Sequence, residues 1–309
     1  MPRAIEENVK NHDSVYLGGF IQQDPYAAAH EIIRQQKKHL TISKTASLPV
    51  VDQLIGAGCV DKLISTFTWN LMPTTAHCFV RAITQQIPHP LELEEYSILT
   101  LSLAYYAGAL NLPYIASKTV MGSGFDGETN GNKARNRLKF ETSPFTGERV
   151  CLIPPIKHDV GIIQVQRADI HGNAQAWGMM GESRYGMLSC DRIIVCAEEI
   201  VDTEVIMEDP NRTIIQDFRV NAVVEEPWGS HPSPLTGVHD LDWPYLAFYE
   251  SQTRTQEAFE AYLQKWVLGV SSRKEYMELI TSKRQKELRP EENLTAPTSH
   301  GLHTKHFEV

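Results

Sequence analysis

Val15-Tyr16-Leu17-Gly18-Gly19-Phe20 is followed by Asp24-Pro25-Tyr26 and then Ala27-Ala28-Ala29-His30-Glu31-Ile32-Ile33-Arg34. The stretch reads as a buried strand, a two-glycine turn and a helix entered through an Asp-Pro start signal. Glycine at a strand's C-terminal end lets backbone N–H groups face a ligand with no side chain in the way. The helix that follows aims its positive N-terminal end at the same place. Such a turn suits an anion, or an oxyanion developing on an acyl or thioester carbonyl. It equally suits a plain strand-to-helix connection, and the segment alone leaves both open.

The alternation continues outward. A helix over residues 4–12 precedes the strand. Further strands are expected at 40–43, 63–69, 112–116, 150–154, 160–165, 192–197 and 220–224, with helices at 49–58 and 92–110. Short apolar strands alternating with helices indicate an α/β fold with an open, largely parallel sheet covered by helices on both faces. The glycine-rich stretch 121–148 is expected to be a long loop, and 251–268 one amphipathic helix carrying Phe259, Tyr262 and Trp266. One or both are expected at a subunit interface. Residues 1–285 are taken as a single domain and 286–309 as a polar C-terminal tail.

With 309 residues, 42% hydrophobic and 22% charged, the chain has the balance of a soluble globular protein. Its net charge of −9 argues against a nucleic-acid or anionic-membrane partner. No apolar run approaches the roughly 20 residues of a membrane span, and no secretory h-region opens the chain. The 5 scattered cysteines fit reduced thiols of a cytoplasmic protein and make neither a disulfide framework nor a metal site.

Three segments after expected strands describe one pocket rim: Gly18-Gly19-Phe20, Thr68-Trp69-Asn70 and Met121-Gly122-Ser123-Gly124. Gly19, Phe20, Thr68, Asn70, Gly122, Ser123 and Gly124 are the expected substrate contacts, with backbone donors at Gly18, Gly19 and Phe20. Replacing Gly19 with valine is expected to block this edge and leave the fold largely intact. No G-x-G-x-x-G opens a helix and no G-x-x-x-x-G-K-[ST] occurs, which removes the dinucleotide and triphosphatase classes. Ala168-Asp169-Ile170-His171-Gly172-Asn173 reads as a turn. Glu198-Glu199 reads as acidic residues opening a helix over 200–207, with an acid/base dyad as the alternative. Ser230-His231 lacks a G-x-S-x-G elbow, and His77-Cys78 lacks further metal ligands. The chain therefore has a pocket without an evident nucleophile of its own.

The residues resemble the α (A) subunits of type I coenzyme A transferases, most of all the glutaconate CoA-transferase type, over roughly residues 9–279. Leu17-Gly18-Gly19-Phe20 with a proline soon after is similar to that family's first signature, with a shorter Phe-to-Pro spacing and no later glycine. Leu54-Ile55-Gly56-Ala57-Gly58, Leu112-Pro113-Tyr114, Gly122-Ser123-Gly124 and Ala168–Asn173 follow in order. Then come Cys196-Ala197-Glu198-Glu199-Ile200, Gly229-Ser230-His231-Pro232 and Thr255-Gln256-Glu257-Ala258-Phe259.

The resemblance implies a β-subunit partner in a hetero-oligomer, acyl-CoA and a small carboxylic acid as substrates, and no tightly bound cofactor. It also implies that the partner carries the glutamate that attacks the thioester, so no catalytic side chain is expected here. Where glutaconate enzymes have a substrate-binding serine, this chain has Leu71. Where steroid-ring hydrolases of the group have a working glutamate, it has Ile98. An acyl-CoA decarboxylase or hydrolase subunit is the alternative. A ligand-sensing regulator is a further one, and it calls for a helix-turn-helix module that the sequence does not show.

Overall fold

The computed structural model describes residues 1–69, 75–126 and 137–290. In β1 (Ser14–Leu17), Val15 and Leu17 enter one apolar core cluster and Tyr16 the other, all three fully buried. A strand apolar on both sides belongs within a sheet covered on both faces. It follows α1 (Pro2–Asn8) and leads through the glycine turn into α2 (Tyr26–Arg34). The first half continues with β2 (Leu40–Ser43), β3 (Ala46–Ser47), α3 (Pro49–Gly56), β4 (Val60–Ser65) and β5 (Phe67–Thr68), then α4 (His77–Gln85), β6 (Glu92–Glu95) and α5 (Ile98–Ala109). The second half holds β7 (Ile115–Ser117), β8 (Lys139–Thr142), β9 (Arg149–Ile153), β10 (His158–Ala168) and β11 (Ala174–Gln175). After these come α6 (Ser183–Leu188), β12 (Cys190–Ile200), α7 (Thr203–Glu208), β13 (Thr213–Ile215) and β14 (Ala222–Glu225). The helices α8 (Trp243–Gln252), α9 (Gln256–Leu263), α10 (Arg273–Glu278) and α11 (Ser282–Leu288) close the described chain.

Seven strands run parallel in the order β6-β4-β2-β1-β10-β12-β14, with β11 and β13 added antiparallel beyond the end of β1. Chain order runs outward from β1 to β6, then returns to β10 and runs outward the other way. The reversal falls between β1 and β10, and crevices at strand C-termini open at such a point. The Gly18-Gly19-Phe20 turn sits there, its Gly18 amide bonded to Ile162 O of β10 at 2.8 Å. The expected open, largely parallel α/β sheet is the observed one.

Several local expectations give way to tertiary pairing. Residues 92–95 form the edge strand β6, because Glu92 and Glu94 pair with Lys62 of neighbouring β4 at 3.3 and 2.7 Å. The helix expected over 92–110 starts at Ile98, where the Ser97 hydroxyl caps it through Thr100 N. Glu198 and Glu199 end β12, whose pairing with β10 runs to Ile200, and helix α7 begins only at Thr203. The stretch 251–268 is broken at buried Thr253, whose carbonyl accepts Arg81 Nη1, and Thr255 caps the new helix α9. Within 121–148, residues 139–142 form β8, part of a separate antiparallel sheet β7-β9-β8. At the C-terminal end, α11 runs through residue 285, Leu288 is buried, and its carbonyl accepts the Asp240 amide. The turn at 168–173 has the expected form, with Asp169 Oδ1 accepting the amides of His171, Gly172 and Asn173.

Candidate active site

The glycine turn is built by backbone geometry that few residues tolerate. Gly19 has φ +94°, and a Cβ there would lie 2.3 Å from Gln22 O. Ile21 and Gln23 also adopt positive φ, at 65° each, which is uncommon for a β-branched residue and concentrates at functional loops. The turn is locked from beneath by Lys44, just past the end of β2. Its fully buried ammonium pairs with Asp24 Oδ1 at 2.7 Å and donates to Gly18 O at 3.0 Å and Gly19 O at 2.6 Å. Two of the three expected backbone donors are already engaged. Gly18 N donates to Ile162 O, and Gly19 N donates to Ser183 Oγ at 3.1 Å. Among the described residues the Phe20 amide has no acceptor, so it is the donor the turn still offers.

Polar side chains form a layer behind this edge. The Thr45 hydroxyl donates to the buried Glu182 carboxylate, and Ser47 Oγ meets Ser65 Oγ at 2.7 Å. Burial pushes Glu182 above the usual carboxylate range, against the pull of the Thr45 hydrogen bond and the Lys44 charge. Gln22 Nε2 reaches Trp177 O and Met179 O at 3.3 and 2.9 Å, tying the loop after β11 to the turn. Between them lies an apolar cavity of about 600 Å³ lined by Ile21, Gln22, Trp177, Met179 and Thr236.

The other expected contacts separate. Thr68 belongs to β5, which pairs with β3 in a separate two-stranded sheet past the ends of β2 and β4, and it lines its own depression with Ser65, Phe67, Phe79 and exposed Glu95. Asn70 and Leu71 fall outside the described residues. Gly122, Ser123 and Gly124 follow β7 of the antiparallel sheet, so they are not at a C-terminal end of the parallel one. Gly122 N donates to Asp126, and Ser123 Oγ donates to Val120 O. Phe259, Tyr262 and Trp266 are buried inside the chain's own core, so of the two segments offered for an interface the aromatic helix is not one.

The remaining chemistry-bearing groups are spent in packing. Ser230 meets His239 Nε2, and His231 sits between Asp242 and Tyr276, all buried. His77 pairs with Glu250, and Glu198 accepts the Trp228 amide. All five cysteines are buried, and burial pushes Cys59 and Cys151 up to about 11. Among the described residues no three potential ligands gather around a metal position.

A family model described as coenzyme A transferase matches residues 1–226. The chain belongs to the coenzyme A transferase family. It is 35% identical over 279 residues to the A subunit of 3-oxoadipate CoA-transferase from Pseudomonas knackmussii, covering 90% of this chain and 95% of that one. It is 32% identical over 292 residues to the A subunit of glutaconate CoA-transferase from Acidaminococcus fermentans, covering 91% of each. The crystal structure of the Acidaminococcus glutaconate enzyme superposes with a TM-score of 0.86 over 94% of both chains. The crystal structure of a variant of the AibA/AibB decarboxylase follows at 25% identity and TM-score 0.71, over 85% of this chain and 96% of that one.

The resemblance read from the ordered motifs is thereby borne out, as are the fold and the assignment to an enzyme family that handles CoA. Sequence reasoning missed Lys44, Glu182 and Ser183. A lysine directly after a strand paired with β1 was the available signal for the first. Ser183 reaches the turn from 164 residues away and Glu182 reaches Thr45 from 137, and no local pattern announces them.

Proposed function

We propose that this chain is the α subunit of a heteromeric, cytoplasmic CoA-transferase. It moves CoA between an acyl-CoA and a small carboxylic acid, with no tightly bound cofactor. The attacking glutamate comes from a β partner. The observation that carries this reading is end-to-end similarity to two A subunits, joined to a site whose own carboxylates are committed: Asp24 to Lys44 and Glu182 to Thr45. The partner's carboxylate oxygen bonds to the thioester carbon, and the carbonyl electrons move onto oxygen. As the C–S bond breaks, CoA leaves as thiolate and a mixed anhydride remains. The thiolate then attacks the glutamyl carbonyl and releases the first acid. The resulting enzyme thioester passes CoA to the second acid by the reverse steps. In this scheme the Phe20 amide supports the oxyanion, the apolar cavity at Ile21 and Trp177 takes part of the acyl-CoA, and Thr68 lines the edge nearby.

Likeness to the AibA/AibB decarboxylase supports a second reading, an acyl-CoA decarboxylase subunit. Purification of the chain with its native partner separates the two. CoA exchange between acids by a partner with a pocket glutamate supports the transferase. Release of carbon dioxide from the thioester supports the decarboxylase, and a chain that purifies without any partner contradicts both.

A further inference from the structure

The Gly18-Gly19-Phe20 turn faces two ways, and Lys44 decides which. A peptide unit is planar and trans, so its C=O and N–H point in opposite directions. Gly19 O is drawn to Lys44 Nζ at 2.6 Å, which turns the Phe20 N–H directly away from the lysine. Gly18 O is drawn to the same nitrogen at 3.0 Å, which turns the Gly19 N–H the same way, onto Ser183 Oγ. The ammonium donates to these two carbonyls and, at 3.4 Å, to Leu17 O, while Asp24 Oδ1 lies 2.7 Å away as its ion-pair partner. Lys44 and Asp24 are both wholly buried. A buried charge pair is a poor device for stability alone, since apolar residues of similar volume usually do as well. Here the pair sits at the point where the sheet order reverses, against a turn whose Phe20 amide has no acceptor among the described residues.

We propose that Lys44, clamped by Asp24, is a positioning residue that holds this turn with the Phe20 amide presented to the acyl oxygen on which charge develops. The inference rests on the CoA-transferase reading and adds a residue to it. Lys44 touches no substrate; it acts by fixing the direction of a donor. Pre-set donors of this kind are effective because they need no reorientation as the reaction proceeds. In the resting turn the carbonyl dipoles of Gly18 and Gly19 would otherwise be free to rotate and present oxygen to an anion.

The test uses the complex of this chain with its partner and the variants Lys44→Met, Lys44→Gln and Lys44→Met with Asp24→Asn. Lys44→Met alone leaves Asp24 buried without a counter-charge, so both thermal midpoint and turnover fall. The double variant has no unpaired buried charge and recovers most of the midpoint. Its kcat is expected to stay about 10²-fold low, the loss seen when one oxyanion donor is removed, with KM for acyl-CoA within about threefold. Lys44→Gln, which keeps a donor without the charge, falls between wild type and the double variant. Amide exchange at Gly19 quickens in the double variant as its bond to Ser183 loosens. A double variant with wild-type kcat, or with unchanged exchange at residues 18–20, overturns the proposal. A wild-type complex that transfers no CoA overturns the functional reading instead, and the exchange measurement still decides the role of Lys44.

Discussion

The Glu182 carboxylate accepts the Thr45 hydroxyl across 137 residues of chain, joining the start of α6 to the end of β2 directly behind the glycine turn. Burial raises the pKa of Glu182, so the folded chain holds that proton more tightly than the unfolded one. Stability from this group is therefore full below the unfolded carboxylate value, near 4.3, and is lost as pH rises through the raised folded value. Glu182→Gln keeps an acceptor for Thr45 and carries no charge at any pH. Its thermal midpoint relative to wild type should be higher at pH 7.5 than at pH 4, the advantage opening as pH rises above the unfolded value near 4.3. A midpoint difference that is flat with pH contradicts this account of Glu182.

Gly19 allows a sharper statement than its sequence did. The added Cβ meets the Gln22 carbonyl oxygen at 2.3 Å and the Gln23 and Asp24 backbone within 3 Å. No flexible side chain is there to yield. Gly19→Ala should therefore cost about 2–4 kcal/mol of stability, combining a left-handed backbone penalty with overpacking. The expectation that a larger residue here only blocks the pocket edge gives way to this backbone contact. Chemical denaturation of the isolated chain measures it, and a loss below about 0.5 kcal/mol would mean the turn relaxes freely.

The parallel sheet was legible because β1, β2, β10 and β12 are apolar enough on both faces to announce burial, and the glycine turn marks where β1 ends. The edge strand β6 was not legible, because Glu92-Leu93-Glu94-Glu95 carries the acidic opening of a helix. Its ladder with β4, with Lys62 set against Glu92 and Glu94 and Arg137 against Glu94, makes it a strand. The site divides in the same way. The Gly18-Gly19-Phe20 turn could be read as the end of β1 because paired glycines interrupt an apolar strand. What the turn's amides are free to do depended on Ile162, Ser183 and Lys44, which only the fold brings together. Gly122-Ser123-Gly124 misled for the converse reason: the segment does follow a strand, but a strand of a different sheet.

Asp242 supports a prediction of opposite pH sign. Burial works to raise its pKa, yet hydrogen bonds from His231 and Arg284 hold it at about 2. It also caps α8 through Tyr245 N. A carboxylate depressed in the folded state contributes stability that is present above its unfolded value, near 3.9, and lost as pH falls toward about 2. Asp242→Ala removes a hydrogen-bond partner from buried His231 and half-buried Arg284 together with the α8 cap, and should cost about 2–3 kcal/mol at pH 7. The gap to wild type should narrow below pH 4. Denaturation curves at pH 7 and pH 3 check both parts, and a gap of equal size at the two values would remove Asp242 ionisation from the account.

Helix α5 carries Ile98, Leu99, Leu101, Leu103 and Ala104 around its whole circumference, and a helix apolar on all sides is ordinarily buried on all sides. In this chain Ile98 and Leu99 are 45% and 53% exposed. Single exposed leucines are unremarkable, but adjacent ones on such a helix fit a surface covered by a second chain. Leu99→Asp tests this. A substitution at this half-exposed position should shift the thermal midpoint of the isolated chain by no more than about 2 °C. Affinity for the β partner, measured by titration calorimetry or quantitative pull-down, should weaken at least about tenfold, or about 1.4 kcal/mol. Unchanged affinity would place the partner elsewhere on the molecule, whereas a large fall in the midpoint would make Leu99 part of the chain's own core.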